Sequence, residues 1–145
     1  MKNKGFTLIE LLAVIVILAI IALIATPIIL GIINDARTNA KKRSAELVYT
    51  GVEYAYTSVL FKQTSNGTVK DDASLDEINA ELNVDNVSKH EVVNGVLQIT
   101  TNDNVYCKVE KPANTTNKYT VTCGNSFTDT EARYLAAKTL SYETK

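Results

Sequence analysis

Glu10 is the one charged side chain in an otherwise apolar run that extends from Phe6 to Ile33. A charge inside hydrocarbon is expensive, so such a group usually faces a partner or a functional site. Glu10 therefore needs a compensating group, either a positive charge or a hydrogen-bond donor. The chemistry of this sequence begins with the question of what that group is.

Two cysteines are the next residues that could react, and both lie in the C-terminal half, at Cys107 and Cys123. In an exported domain such a pair is usually a disulfide, whereas in the cytosol two inert thiols are more common. The sequence has no CxxC motif, and its single histidine, His90, is not adjacent to either cysteine. A redox or metal role is therefore not favoured, and we expect no cofactor and no metal.

The composition of the chain argues against an enzyme and against a protein that binds nucleic acid through an overall positive field. The net charge of the 145 residues is −1 and the pI is about 5.8. Apart from its apolar end, the chain is long enough for one small domain. No nucleophile and base can be paired in the sequence, so we expect no catalytic site.

Three kinds of segment could explain the apolar N-terminus. A secretory signal peptide has an apolar stretch of about 7–15 residues and a small-residue cleavage site, and this run is too long and lacks such a site. An ordinary membrane anchor needs about 20 apolar residues, which accounts for the length. It accounts neither for Glu10 nor for Pro27 nor for the abrupt change from Gly5 to Phe6.

The first 35 or so residues closely resemble the leader and N-terminal segment of type IVa pilins and the related pseudopilins. The matching features are the short basic leader MKNKG, then Phe6, then Glu10, and an apolar helix without further charges. The resemblance implies cleavage between Gly5 and Phe6 by a prepilin peptidase, a membrane aspartyl protease. The same enzyme would then N-methylate the new terminus at Phe6.

Cleavage provides a partner for Glu10, because it creates a positive α-amino group on Phe6. The amine of a neighbouring, axially shifted subunit could lie beside Glu10, and opposite charges attract strongly at low dielectric. Such a pair would set the register of assembly, and Thr7 could donate a supporting hydrogen bond. Within its own helix, Glu10 lies in the first turn, where the helix dipole favours a negative group.

One long helix is predicted from about residue 7 to 62, because helical periodicity continues beyond the apolar run. We divide the chain into a leader (1–5), a transmembrane and filament-core helix (6–33), its amphipathic continuation (34–62) and a globular head (63–145). The residues predicted to pack on the head are Ala36, Ala40, Leu47, Val48, Val52, Ala55 and Val59.

Pro27 is expected to disturb this helix, since proline removes a backbone donor and its ring clashes with the preceding turn. A simple kink is common in membrane helices. In the family that the sequence resembles, the segment before this proline is extended in the assembled filament, and 19–27 is the matching stretch. We favour local melting there in the filament.

A basic cluster follows the apolar run, formed by Arg37, Lys41, Lys42 and Arg43. The positive-inside rule would place this side in the cytoplasm, but large downstream domains translocate largely regardless of such charge. We keep an N-in, C-out orientation. Phosphate contacts to DNA are a possible role, but a solvated face or salt bridges to Glu46 and Glu53 are favoured.

The head should contain a short helix followed by strands. Ser74 and Glu77 form a capping-box pattern at the start of LDEINAEL. The acidic residues around it, Asp71, Asp72, Asp76 and Glu77, lack EF-hand spacing, so calcium is not favoured. A four-stranded antiparallel meander is predicted over 89–124, with a tight turn at Asn94-Gly95.

The last part of the sequence predicts a second capping box and a C-terminal helix. Thr128 and Glu131 have the capping-box spacing, with Phe127 as a hydrophobic staple. The helix would run to about Tyr142, with Ala132, Leu135, Ala136 and Leu140 on one face. In the meander, Cys107 and Cys123 would lie on adjacent strands, where a disulfide is easy to form. The fold class is therefore α+β, a long N-terminal helix packed on a small antiparallel sheet.

The function that these features predict is structural. The chain would be a type IV pilus subunit, stored in the cytoplasmic membrane and then assembled by membrane machinery into an extracellular homopolymer for adhesion, twitching motility or biofilm formation. The alternative within the same family is a major pseudopilin of a type II secretion or competence apparatus. A DNA-uptake module would use the basic cluster and would depend steeply on salt.

Overall fold

The computed structural model describes residues 5–62, 72–113, 115, 118–129 and 134–141. The chain divides into two compact units, residues 1–37 and residues 38–145. Its elements are two helices, α1 (Leu8–Lys62) and α2 (Leu75–Glu81), followed by five strands. The strands are β1 (Val87–Val93), β2 (Val96–Thr101), β3 (Tyr106–Glu110), β4 (Lys118–Gly124) and β5 (Leu135–Ser141). The predicted α+β fold, a long helix with an antiparallel sheet, is confirmed.

Helix α1 is continuous over 55 residues, as the sequence predicted. In the first unit its apolar side chains are exposed from Leu8 to Ile33. Among the described residues, α1 is the one helix long and apolar enough to cross a membrane, and its most apolar window has a mean hydropathy of 3.2. This part of the helix buries nothing within the chain and therefore needs an apolar environment outside it.

In the second unit, α1 packs on the sheet through one stripe of side chains. The stripe consists of Ser44, Ala45, Val48, Val52, Ala55, Tyr56, Val59 and Leu60. Three residues predicted for this face, Ala36, Ala40 and Leu47, are exposed instead. The stripe begins only at Ser44, and Leu47 lies about 100° around the helix from Val48. The helical period was correct, but the stripe is shorter and narrower than predicted.

Helix α2 begins at the predicted capping box. The backbone N–H of Glu77 donates to Ser74 Oγ at 3.3 Å, and the Ser74 N–H donates to Glu77 Oε2 at 2.8 Å. These two bonds satisfy donors that the first helical turn leaves open. Ile78 is the buried residue that anchors α2 to the core.

The sheet is antiparallel throughout and has the order β1-β2-β3-β4-β5. Its first four strands are the predicted meander. The β1–β2 turn has positive φ at both Asn94 (52°) and Gly95 (76°), as a type I′ turn requires. In β2 and β3 every second residue is buried, which places Leu97, Ile99 and Val109 against α1 and the core.

The predicted C-terminal helix is wrong, because the chain forms β5 there and pairs it with β4. The segment that should have started the helix closes a turn instead. The Asn125 N–H donates to Asp129 Oδ2 at 2.8 Å, and the Thr128 N–H donates to Ser126 Oγ at 3.2 Å. Glu131 and Ala132 lie outside the described residues.

Strand pairing explains why this end of the chain forms a strand although its local sequence favours a helix. Without β5, strand β4 would present an unpaired edge, and an edge of that kind is a liability. Phe127, predicted as a hydrophobic staple, instead packs edge-on against Tyr106 with ring centroids 5.0 Å apart. Leu140 of β5 is buried in the core. Sheet completion and this aromatic contact together outweigh helix propensity.

Cys107 and Cys123 face each other across β3 and β4 and are joined by a disulfide. Their Cα atoms lie 4.1 Å apart, and both residues are buried. The predicted bridge therefore lies at the centre of the sheet and fixes the register of its two middle hairpin strands.

Two polar networks join α1 and α2 to the sheet. Ser44 Oγ donates to Asp103 Oδ2 at 2.5 Å, and Asn86 Nδ2 donates to the same oxygen at 2.9 Å, which lowers the pKa of Asp103. The hydroxyl of the buried Tyr119 donates to Asp72 Oδ1 at 3.0 Å and also to the Ala73 carbonyl. Burial, followed by the nearby Asp72 charge, raises the pKa of Tyr119 far above its usual range.

Gly51 is required by the close approach of α1 to the segment after α2. A Cβ atom at this position would lie 2.1 Å from Val84 Cγ2. Gly51→Ala should therefore destabilise the head by about 1–3 kcal/mol through overpacking, more than alanine's better helix propensity of about 1 kcal/mol can offset. Thermal unfolding in detergent, followed by tyrosine near-UV circular dichroism, measures this.

Gly31→Ala is the matched control, because the same substitution in the same helix meets no atom within 4 Å. Its melting temperature should equal or slightly exceed that of the wild type, because alanine's better helix propensity is gained without a clash. A melting temperature for Gly51→Ala equal to that of the control would contradict the packing of α1 described above.

The disulfide should contribute about 3 kcal/mol to the stability of the head in the chain-entropy model, since it closes a loop with a sequence separation of 16. Urea unfolding with and without reductant measures this difference in the free energy of unfolding between the oxidised and the reduced protein. Non-reducing peptide mapping should find Cys107 linked to Cys123. Free thiols on freshly isolated protein would instead favour a cytosolic head.

Candidate assembly site at the start of helix α1

Thr7 and Glu10 form a capping box at the first turn of α1. Glu10 Oε2 accepts the Thr7 backbone N–H at 2.9 Å and the Thr7 hydroxyl at 2.7 Å. The Glu10 N–H is 3.4 Å from Thr7 Oγ1, which completes the reciprocal pattern. The helix therefore begins immediately after Thr7, at Leu8.

The two carboxylate oxygens of Glu10 differ in what they bind. Both bonds from Thr7 reach Oε2, and no described residue donates to Oε1. Gly5, Phe6, Thr7 and Glu10 are all exposed. The carboxylate thus stabilises its own helix through one oxygen and keeps the other open to a donor from outside the chain.

Gly5 and Phe6 precede the helix in a non-helical segment. A Cβ at Gly5 would meet nothing within 4 Å, so the backbone there is uncrowded. A peptidase needs an exposed bond in a segment that is not tied into a helix, and the bond between Gly5 and Phe6 meets both conditions. Residues 1–4 of the leader lie outside the described residues.

Pro27 lies inside α1, and 19–27 is helical in the isolated chain. Proline cannot donate to the carbonyl four residues earlier. One residue before it, the Thr26 hydroxyl donates to the Ala22 carbonyl at 2.6 Å, a bond that tends to bend helices. The predicted melting of this stretch concerns the assembled filament, so it stays a prediction.

The basic cluster is not paired with the acidic residues that the sequence analysis named. No described ion pair joins it to Glu46 or Glu53. Lys41 Nζ instead lies 3.2 Å from Tyr134 Oη and 5.4 Å from the centre of that ring. Arg37, Lys42 and Arg43 are exposed, in agreement with the solvated face that was the other favoured outcome.

The acidic residues near α2 have structural partners. Asp72 forms an ion pair with Lys111 and accepts from Tyr119, and Glu77 belongs to the capping box of α2. Asp71 lies outside the described residues. Among the described residues, no group of three or more His, Cys, Asp or Glu side chains is placed to hold a metal ion.

The sequence analysis named Thr7 as a donor that could support Glu10, but it did not recognise the capping box that the two residues form. Thr7-Leu-Ile-Glu10 has the S/T-x-x-E spacing of a capping box before an apolar run. The same rule was applied at Ser74, so the signal was present in the sequence. Thr7 is therefore both the cap of α1 and a donor to the carboxylate.

Comparison with known proteins supports a pilin-like N-terminus. Residues 1–26 match the family model described as "Prokaryotic N-terminal methylation motif". No curated protein and no solved structure matches the chain.

The matched motif is typical of type IV pilin-like prepilins, and it covers the first 26 residues of the chain. The arrangement of a long helix and an antiparallel sheet agrees with the type IV pilin fold. The chain thus combines an N-terminal methylation motif with a helix that is long and apolar enough to cross a membrane.

Proposed function

We propose that this protein is the repeating structural subunit of a type IV pilus. The observation that carries the proposal is the combination of a methylation motif at residues 1–26 with a helix whose apolar half is exposed from Leu8 to Ile33. A membrane can cover this surface before assembly, and copies of the same chain can cover it afterwards. The head needs no such cover, because α1 and the sheet bury each other's apolar faces.

Processing prepares the subunit for assembly. Prepilin peptidase cleaves between Gly5 and Phe6 and methylates the amine of Phe6. The capping box survives this cut, because Thr7 and Glu10 both lie after it. Cleavage therefore adds a positive charge at the N-terminus without removing the bonds that begin α1.

Glu10 then sets the register between subunits. Its Oε2 is occupied by Thr7, and its Oε1 accepts the Phe6 amine of an axially shifted neighbour. In the apolar filament core, a subunit docked at the wrong height leaves two charges without partners, which costs more than the pair itself gains. Thr7 supports this role by holding the carboxylate in one orientation.

The domain boundaries and the location in the cell follow from the same mechanism. Residues 6–33 span the cytoplasmic membrane with the N-terminus inside, residues 34–62 continue the helix, and residues 63–145 form the exported head. The assembly machinery then extrudes the subunits into a surface filament. Pro27 provides a break where 19–27 can extend as the subunits pack.

A pseudopilin of a secretion or competence apparatus shares the N-terminal motif and is the second candidate. It would form short filaments that do not extend from the cell surface. Electron microscopy of cells that express the chain separates the two functions by filament length.

The mature chain should begin at N-methyl-Phe6, and the intact mass of native protein measures this directly. Co-expression with prepilin peptidase should remove residues 1–5 and add one methyl group. Gly5→Val should block the cut, because a branched side chain occupies the cleavage position. Retention of Met1, or a cut near Ala25, would overturn the proposed function.

Glu10→Gln should abolish long filaments, because it removes the ion pair. Glutamine at this position still completes a capping box, so the start of α1 is preserved. Thr7→Ala is the matched opposite: it weakens the cap but keeps the carboxylate, and filaments should still form in reduced yield. Filament length by electron microscopy and membrane-bound subunit by immunoblot are the two measurements.

Together, Glu10→Gln and Thr7→Ala show whether Glu10 sets the register between subunits or only caps its own helix. If Glu10 acted only as a cap, Glu10→Gln would assemble normally and Thr7→Ala would be the more damaging change. Normal-length filaments made of Glu10→Gln subunits alone would rule out the register mechanism.

A further inference from the structure

Lys42 and Arg43 have side chains that the head does not use. Both are exposed, and neither forms an ion pair with another described residue. Most of the other lysines that the structure describes in the second unit have a partner. These contacts are Lys41 with Tyr134, Lys62 with Glu81, Lys89 with Glu91, Lys108 with Glu110, Lys111 with Asp72 and Lys138 with Tyr49.

The position of these two cations along the chain points to the membrane surface. After Glu10, the stretch from Leu11 to Ile33 carries no charge, and its length of about 34 Å as a helix spans a hydrocarbon core of about 30 Å with some tilt. Lys42 and Arg43 follow on the same helix, about 14–15 Å beyond Ile33.

Their side chains can reach lipid headgroups from this position. Helical side chains lean toward the N-terminus of their helix, which here is the direction of the apolar stretch. Long basic side chains extend further by snorkelling, and the headgroup layer on each face is roughly 5–8 Å thick. A distance of about 6–10 Å along the axis then remains, and the extended side chain together with the tilt of the helix covers it.

We propose that Lys42 and Arg43 bind the phosphates of anionic phospholipids in the membrane that anchors the chain. Arg43 can contact a phosphate in a bidentate manner, and Lys42 adds a point charge. The two residues lie about 100° apart around the helix, so they contact separate lipids beside it. That spread suits a layer of headgroups around the helix better than the backbone of one DNA strand.

The acidic residues nearby do not cancel this charge. Asp35 and Glu46 lie on the same helix, but no described ion pair joins either of them to Lys42 or Arg43. Arg37 is also exposed and lies only about 6 Å beyond Ile33, so it adds a positive charge nearer the headgroups. Lys41 adds a further positive charge even though its amine rests on Tyr134. The local field at the end of the membrane span is therefore positive.

This inference rests on the membrane-anchored stage of the proposed function and adds a role to it. Anionic lipids would hold unassembled subunits at one height in the membrane. Leaving the membrane for the filament would then require these contacts to break, so the lipid composition would tune how readily subunits are released.

The full precursor chain in vesicles of equal parts phosphatidylglycerol and phosphatidylcholine tests the inference. Electron spin resonance with spin-labelled lipids measures which lipid the protein retains beside it. We expect a preference for phosphatidylglycerol of roughly five-fold, since each cation near a charged surface contributes about that factor. The preference should fall at 1 M salt, where the Debye length is about 3 Å.

The double variant K42Q/R43Q should have a clearly lower preference, and the charge that remains on Arg37 accounts for what is left of it. K89Q/K118Q is the matched control, because it removes the same charge from exposed positions on β1 and β4, and it should keep the wild-type preference. Near-UV circular dichroism checks that both heads remain folded. Equal lipid preference in all three proteins, or an equal loss in both variants, would overturn the inference.

Two further outcomes keep this test separate from that of the proposed function. A chain without lipid preference that is still cut before Phe6 and still forms filaments contradicts the lipid inference alone. A chain with the preference that is never cut contradicts the pilus role alone. A chain that shows no lipid preference but binds a short DNA duplex through Lys42 and Arg43 would also overturn the lipid inference.

Discussion

The constraint on which the rest of this structure depends is an apolar helix half with no partner in its own chain. Every large apolar side chain between Leu8 and Ile33 is exposed, so the hydrophobic effect drives this segment into a membrane or against other chains. A charge tolerated in such a surface has to be compensated. Thr7 supplies part of that compensation for Glu10 through Oε2, and no described residue donates to Oε1.

The head differs from this apolar half of α1, because it buries its apolar surface within its own chain. The stripe of α1 that begins at Ser44 covers one face of the sheet, and Tyr56 contacts Tyr119 with ring centroids 5.1 Å apart. The disulfide in the middle of the sheet adds a covalent constraint that suits a small domain. Helix α1 therefore has an exposed apolar part and a part that packs on the sheet. In the sequence, the apolar part ends where the first charged residues follow Ile33.

Sequence patterns predicted the parts of the fold that local chemistry controls. The long helix, the capping box at Ser74, the turn at Asn94-Gly95 and the adjacent cysteines each have a signature within a few residues. The C-terminal helix was predicted wrongly because its capping-box pattern is local, whereas the pairing of β5 with β4 depends on a distant edge. Leu47 was wrongly predicted to be buried for a related reason. Helical periodicity identifies the face of α1 that packs on the sheet, but not how wide that face is.

The position of β5 in the chain also determines when the five-stranded sheet of the head can be completed. Strands β1 to β4 are joined by short connections and can pair as each emerges, but β5 is the last element of the chain. It connects back to the start of the head through Tyr134 on Lys41 and Lys138 on Tyr49, with Lys138 Nζ 4.4 Å from the centre of the Tyr49 ring. These contacts have high sequence separation, and proteins rich in such contacts fold more slowly than proteins built on local ones. The β4 edge of the sheet therefore stays unpaired until β5, the most C-terminal of the described elements, has formed.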